Sequence, residues 1–135
     1  MRRARPFLAL ASLVLTGCGL SMSGPDSVIA LGSWGGDHAS LVIERTIASI
    51  EFDCAHGRFA APVAVDRGQF SSRGVYIAEH GGPIREGEVF IEQPARYSGS
   101  VDGDRMVLRV TLDNGQDLGS YTLTRGAGGR VFKCL

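Results

Sequence analysis

The chain has 135 residues, with 14 basic and 14 acidic side chains, so its formal net charge is zero. This length suits one ordinary domain. Arginines and carboxylates are scattered without runs, which argues against the basic patch that nucleic-acid recognition requires, and we therefore expect no nucleic-acid partner.

The chain begins with a basic start followed by an apolar stretch. Arg2, Arg3 and Arg5 precede an apolar run over residues 7–15. As a helix this run would cover about 14 Å, well short of the ~30 Å hydrocarbon core of a bilayer. The pattern predicts the core of a signal peptide and not a membrane span.

The run leads into Leu15-Thr16-Gly17-Cys18, which resembles the lipobox of bacterial lipoproteins. In that family a diacylglycerol is attached to the cysteine thiol, the chain is cut just before it, and the new amino group is acylated. The resemblance implies a signal peptide over 1–17, lipidation of Cys18 and a membrane as partner. The alternative is an ordinary signal peptide cut elsewhere.

The residue after Cys18 bears on the destination. In Gram-negative lipoproteins, an aspartate directly after the lipidated cysteine is associated with retention in the inner membrane. This chain has Gly19 at that position. The resemblance therefore implies anchoring in the outer membrane, on its periplasmic face. Anchoring by two or more acyl chains is stable, whereas a single chain binds reversibly.

Processing would leave a small domain on a short tether. Removing 17 of the 135 residues leaves 118. The removed part contains three of the 14 basic residues, so the mature chain has 11 basic and 14 acidic residues and a net charge of about −3. Residues 18–27 are small and polar without a period, which predicts a lipidated tether. We expect one domain over residues 28–135.

From residue 28 onward, apolar and polar residues alternate with a period of two, as in strands with one buried face. Asp102-Gly103 and Asn114-Gly115 predict tight hairpins, and His56-Gly57, Arg67-Gly68 and Gly81-Gly82-Pro83 predict further turns. The clearest alternating segments are 39–44, 49–54, 59–65, 75–77, 89–91, 106–112 and 120–124. We therefore predict an all-β domain, a small antiparallel β-barrel of about eight strands, with a β-sandwich as the alternative.

Two places favour the barrel. Gly32-Ser33-Trp34 opens the strand region and Arg125 ends the last long segment. This arrangement resembles lipocalin- and avidin-like (calycin) barrels, and it implies a tryptophan near the barrel floor with an arginine over its indole. Such a contact would close the first strand onto the last. The alternative is that Trp34 is simply an anchor of the core.

The cysteines predict a cross-link. With Cys18 carrying lipid, Cys54 and Cys134 remain, and outside the cytoplasm an even pair predicts a disulfide. It would close a loop of about 80 residues, for which the chain-entropy model gives roughly 4–5 kcal/mol. The alternative is a pair of thiols that bind metal or act as a nucleophile.

The histidines mark a candidate site. Asp37-His38 follows two glycines and Glu79-His80 precedes two, each at a predicted strand end, whereas His56 is placed in a turn. We predict that Asp37, His38, Glu79 and His80 form a binding mouth at one end of the barrel. Such a pair of imidazoles suits zinc or copper. The spacing is not that of a metal motif, so no metal or other cofactor is predicted.

Catalytic motifs are not evident. The sequence has no Gly-x-Ser-x-Gly elbow and no Ser-x-x-Lys pair. Glu86, Glu88 and Glu92 alternate, which we interpret as the solvated face of a strand. We therefore predict a protein that is not an enzyme, with a hydrolase as a lesser alternative.

A second resemblance involves Phe52-Asp53-Cys54-Ala55-His56-Gly57, Ala95-Arg96-Tyr97 and Cys134. Their order is similar to that in periplasmic lysozyme inhibitors of the C-type class, which are small barrels that plug the enzyme's cleft. Gln93-Pro94 stands where that family has Ser-Gly, so the inhibitory serine is missing. The alternative is that Tyr97 is a buried strand residue and Arg96 a surface charge.

Together these features predict a non-enzymatic cell-envelope lipoprotein, a β-barrel module that binds an unidentified ligand or serves a structural role. The alternative is a periplasmic protein-partner or inhibitor module, and a metal-binding protein or hydrolase comes after both. An apolar hollow interior would favour a small ligand. An interior filled by side chains would favour contacts with an envelope protein through the loops.

Overall fold

The computed structural model describes residues 27–135. The predicted signal peptide, the lipidation site Cys18 and the tether up to residue 26 lie outside these residues. Ser27, expected at the end of the tether, already pairs with Val65 in a short strand. Residues 27–135 contain no helix that is long and apolar enough to cross a membrane.

The described part is all-β, as predicted. Its strands are β1 (Ser27–Val28), β2 (Gly32–Gly36), β3 (Ala39–Ile43), β4 (Ile47–Phe52), β5 (Ala55–Ala60), β6 (Ala64–Val65), β7 (Gln69–Ala78), β8 (Gln93–Asp102), β9 (Arg105–Leu112) and β10 (Asp117–Arg125). Eight of them close into a barrel in the order β10-β2-β3-β4-β5-β7-β8-β9, and β1 and β6 form a separate two-stranded sheet. The prediction of an eight-stranded antiparallel barrel is confirmed, and the sandwich alternative is wrong.

The two ends of the barrel differ in their connections. The turns at 37–38, 53–54 and 113–116 and the long connection 79–92 lie at one end, which we call the loop end. The turns at 44–46 and 103–104 and the connection 61–68 lie at the opposite end. The chain enters there through β1, so we call it the β1 end.

The first barrel strand, β2, closes onto the last, β10. Trp34 of β2 is the register partner of Arg125 of β10. The indole is 1% exposed and its N–H donates to the carbonyl of Ala30 at 3.0 Å. The Arg125 side chain is half exposed and lies 4.0 Å from the carboxylate of Asp104.

The barrel interior is packed with the protein's own side chains. Inward-facing residues from all eight barrel strands form one apolar cluster. Among the largest fully buried ones are Trp34, Tyr97, Ile50, Leu108 and Leu123. Within residues 27–135, no polar or charged residue falls in the buried class. The interior is therefore a core and not a hollow pocket.

The turn predicted at His56-Gly57 is wrong. Both residues lie in β5, and the chain turns at Asp53–Cys54, where Cys54 takes a φ of +51°. Gly57 is needed for space, because a Cβ there would lie 2.0 Å from the Tyr97 hydroxyl oxygen. That hydroxyl donates to the carbonyl of Val75 at 2.8 Å.

The position of Tyr97 decides between two interpretations of Ala95-Arg96-Tyr97. Its side chain is fully buried, and its ring stacks on Phe59 with centroids 4.6 Å apart. Arg96 points outward and is exposed. The alternative of a buried strand tyrosine beside a surface arginine is therefore confirmed.

Three other predicted turns are confirmed, and one predicted strand is wrong. The hairpins at Asp102-Gly103 and Asn114-Gly115 are confirmed, and the positive φ of +56° and +92° falls on the glycines. The turn at Arg67-Gly68 is confirmed as well. The strand predicted around Val89 and Ile91 is wrong. Because β7 and β8 pair directly with each other, residues 79–92 project beyond the sheet and have no strand partner.

Candidate functional site

Residues 126–135, which follow the last strand, build much of the candidate site, and we call them the final segment. After β10 the chain reverses and runs beside β2 towards the loop end. The N–H of Arg130 donates to Gly36, and the N–H of His38 donates back to Arg130. Gly35 allows this close approach, because a Cβ there would lie 2.4 Å from the carbonyl oxygen of Ala127.

A disulfide fixes the far end of the final segment. Cys54, in the turn between β4 and β5, is bonded to Cys134, with the Cα atoms 4.9 Å apart. The predicted pairing is present. It holds the end of the final segment at the loop end, and so cross-links a stretch that pairs with the barrel through the backbone hydrogen bonds of Arg130.

The only lysine of the chain lies one residue before that cysteine. The Lys133 ammonium donates to the carbonyl of Ala55 at 2.9 Å and contacts both oxygens of Glu79 at 3.2 Å. It also forms an ion pair with Glu51. Partial burial opposes its charge, but the two carboxylates outweigh that effect and raise the pKa of Lys133.

Glu79 joins this lysine to a histidine. Its carboxylate lies 2.5 Å from Nδ1 of His56 on β5. Burial opposes ionisation of Glu79, yet the hydrogen bonds from His56 and Lys133 prevail and lower its pKa. Glu79 is therefore a charged centre of an ion-pair cluster beside the disulfide.

Asp37 and His38 lie on the other side of the final segment. The guanidinium of Arg130 donates to the carboxylate of Asp37, and Nδ1 of His38 lies 2.5 Å from Asp53. Asp53 also accepts the N–H of Phe132 at 2.7 Å. That hydrogen bond is the chief cause that lowers the pKa of Asp53, with a further contribution from His38.

His80 sits in the connection between β7 and β8. Its Nδ1 lies 2.9 Å from the carbonyl oxygen of Gly81, and its Nε2 contacts Glu88. The Gly81 carbonyl and the Glu88 carboxylate raise the pKa of His80. The imidazole also stacks on Phe90, with ring centroids 5.8 Å apart.

The four residues predicted to share one mouth are spread over separate environments. Asp37 and His38 line a depression of about 230 Å³ with Arg130 and Phe132. His80 lines a different depression of about 580 Å³ within its own loop, and Glu79 belongs to the Lys133 cluster. Within residues 27–135, no group of three or more His, Cys, Asp or Glu side chains is arranged to hold a metal.

Asp53, Lys133 and the disulfide Cys54–Cys134 hold the final segment against the barrel, and we call these contacts the clamp. Each histidine also contacts a carboxylate. Sequence reasoning missed Arg130, Phe132 and Lys133. The available signal was the placement of the only lysine beside a predicted disulfide cysteine, which brings it to the loop end.

The same end carries exposed apolar side chains. In the connection 79–92, Ile84 is 69% exposed, Val89 84% and Ile91 77%. Three large aliphatic side chains facing water in one loop are costly to hydrate. Among residues 27–135, the other large apolar side chains exposed at the loop end are Phe132 and Leu135 of the final segment.

Comparison of the chain with protein-family models, with curated proteins and with solved structures gives no match. A proposal for its function therefore rests on its own residues.

Proposed function

We propose that this protein is a non-enzymatic lipoprotein of the bacterial cell envelope. In this proposal a diacylglycerol on Cys18 anchors it to the periplasmic face of the outer membrane. The barrel then serves as a binding or structural module that acts through its outer surface and its loops. The packed interior carries the last part of this proposal, because Trp34, Tyr97 and Leu108 occupy the barrel and the outer surface and loops are what a partner meets.

The geometry of the barrel fits such an anchor. The chain enters at the β1 end, and Cys18 lies nine residues before Ser27. Nine residues span at most about 30 Å when fully extended. The β1 end would therefore stay near the bilayer, and the loop end would be the more distant one.

The absence of enzymatic activity is also part of the proposal. Catalytic groups usually combine a cleft with side chains whose pKa is strongly perturbed by burial and a specific partner. The histidines at the loop end are at least partly exposed and each forms a contact with a carboxylate, as His56 does with Glu79. These contacts support a structural role for the histidines.

A protein-partner or inhibitor module is the second candidate. It is favoured by the exposed aliphatic side chains of the connection 79–92, where Val89 and Ile91 are the most exposed. Apolar side chains that face water in a loop distant from the anchor suit a contact with another envelope protein. The buried Tyr97 is not available for such a contact.

The anchor is tested by expressing the full chain in a Gram-negative host and measuring the mass of the product. We expect a chain that begins at Cys18 and carries three acyl chains, and we expect the Cys18→Ser variant to lose this mass and its membrane association. A wild-type product cut at another bond, with Cys18 unmodified, would contradict the proposal.

The mode of binding is tested by native mass spectrometry of the chain from residue 19. All described residues, with the complete core and the disulfide, are retained, so this part has what it needs to fold. We expect an apo mass that is lower by two hydrogens because of the disulfide. A small molecule that copurifies and leaves on denaturation would instead indicate a ligand-binding barrel.

A further inference from the structure

Strand register brings together arginines that are far apart in the sequence. On the outer face of the barrel, Arg73 of β7 and Arg96 of β8 are direct register partners. Arg109 of β9 faces Ser98, which is two residues from Arg96 on β8. The three exposed guanidinium groups therefore form a diagonal row over three adjacent strands.

Hydroxyl groups fill the positions between them. Ser71 faces Ser98 across β7 and β8, Thr111 faces Arg96, and Ser120 of β10 faces Arg109. We call the surface made by these side chains the arginine face. Its residues are Ser71, Arg73, Arg96, Ser98, Arg109, Thr111 and Ser120.

The row is only partly neutralised. Arg73 lies 3.3 Å from Asp113, and Arg109 contacts Asp117, both at the loop-end margin of the face. Arg96, in the middle, donates to the hydroxyl of Ser71 at 3.2 Å. Within residues 27–135 it has no carboxylate partner. Like charges directly opposite each other destabilise a sheet, so the pair Arg73–Arg96 has a cost that the fold does not explain.

The arginine face lies on strands that run down to the β1 end, where the chain enters. Ser27 and Val28 line one depression with Asp102, the last residue of β8, and with Gly103 in the turn that follows. Arg96 of β8 lies six residues from Asp102, a distance of about 20 Å along a strand. An anchor attached through Ser27 would therefore allow the arginine face to reach the bilayer when the barrel lies on its side.

We propose that the arginine face binds the phosphate groups of anionic lipid head groups, so that the barrel lies with this side against the membrane. Guanidinium groups present paired N–H donors that match phosphate oxygens, and the serine hydroxyls add further donors. The nearness of the membrane rests on the proposed lipid anchor. The affinity for phosphate does not, because it resides in the barrel alone.

The test uses the chain from residue 19, which lacks the anchor, with lipid vesicles in a cosedimentation assay. Vesicles of phosphatidylcholine are compared with vesicles that also contain phosphatidylglycerol. We expect binding to the anionic vesicles only and release by high salt, because exposed charges are screened. Arg96→Glu should lower the partition coefficient at least about tenfold, since each basic residue near an anionic surface contributes about fivefold.

Arg45→Glu is the matched control. Arg45 is an exposed arginine in the turn between β3 and β4, and β3 lies opposite β8 in the closed barrel. The control makes the same change in net charge and should alter binding less than about twofold by comparison. Arg96→Glu also replaces the like-charged pair with Arg73 by an oppositely charged one, so the denaturation midpoint of this variant should not fall.

Two results would overturn the inference. One is the lack of binding to anionic vesicles, and if the protein then binds soluble polyphosphate, its ligand is a free phosphate compound and not a lipid. The other is an equal loss in both variants, which would indicate net charge alone. Because this experiment omits Cys18, each of these results leaves the acylation measured on the full chain untouched, and failure of acylation leaves vesicle binding unaffected.

Discussion

Replacing Gly57 with alanine tests how the core is built around Tyr97. An added Cβ would lie 2.0 Å from the tyrosine hydroxyl oxygen and 2.8 Å from the carbonyl oxygen of Val75. An ordinary contact needs at least 3.4 Å, so the hydroxyl must move by about 1.4 Å. That movement would break its 2.8 Å hydrogen bond to Val75.

The expected cost follows from two effects. Overpacking of a core costs roughly 1–3 kcal/mol, and a buried hydroxyl left without a partner costs roughly 1–3 kcal/mol. We therefore expect Gly57→Ala to lower the free energy of unfolding by about 2–6 kcal/mol, a large part of the stability of a small domain. Gly128→Ala is the control, since a Cβ there meets nothing within 4 Å.

A double-mutant cycle with Tyr97→Phe separates this clash from other effects. Without the hydroxyl, the nearest ring atom is Cζ at 3.1 Å, which requires only a small shift, and the 2.8 Å approach to the Val75 carbonyl oxygen is common to both backgrounds. Gly57→Ala should then cost at least about 1 kcal/mol less than in the wild-type background. Guanidinium denaturation of the oxidised protein, followed by the fluorescence of Trp34, measures all four variants. Additive effects within about 0.5 kcal/mol would refute the reasoning.

Three further predictions concern the clamp and the loop. Replacing Cys54 and Cys134 by serine should lower the free energy of unfolding by up to roughly 4–5 kcal/mol, because the bond closes an 80-residue separation; a denaturation midpoint that is unaffected by reductant would contradict this. Asp53 has a lowered pKa, so it adds stability above its ordinary value of 3.8 that is lost as the pH falls through the folded value. The Asp53→Asn variant should therefore lose less stability below pH 3.8 than the wild type does, as measured by denaturation at several pH values. Val89→Ser with Ile91→Ser should change the free energy of unfolding by less than about 0.5 kcal/mol, because both side chains face water; a larger loss would mean that they pack in the folded protein.

Local pattern was sufficient to predict the strands and hairpins of the barrel. Strands such as β3 and β9 alternate strictly between inward and outward residues, and a period of two is a property of the strand itself. The hairpins after β8 and β9 were marked by Gly103 and Gly115, whose positive φ is a local requirement. These elements depend on neighbours a few residues away, which the sequence displays directly.

Features set by distant contacts were not predictable in the same way. Gly57 resembles a turn residue until Tyr97, forty residues later, is placed across it. Val89 and Ile91 alternate like a strand, but the direct pairing of β7 with β8 leaves them without a neighbour. The arginine face was not predictable from the sequence either, because Arg73 and Arg96 become neighbours only through the register of β7 and β8.

The same reason explains the outcome for the predicted mouth. Residues at strand ends do lie at the loop end, as expected for His38 and His80. Their partners are decided by the path of the final segment, which has no periodic pattern and places Arg130 and Phe132 beside Asp37 and His38. The positions of the strand ends alone therefore do not determine whether these side chains form one shared mouth or separate ion pairs.

Charged side chains are distributed unevenly over the barrel, and this would orient it relative to an anionic bilayer. Carboxylates gather at the loop end, at positions 37, 51, 53, 79, 86, 88, 92, 113 and 117, whereas Arg73, Arg96 and Arg109 lie on the side wall. An anionic bilayer attracts basic residues near its surface and repels an acidic end, and both effects fall off within about 10 Å at moderate salt. If Cys18 anchors the barrel as proposed, the short tether keeps the β1 end within this range. Attraction of the arginine face then favours a barrel that lies with this side against the lipid, and repulsion of the carboxylates tilts the loop end away from the bilayer.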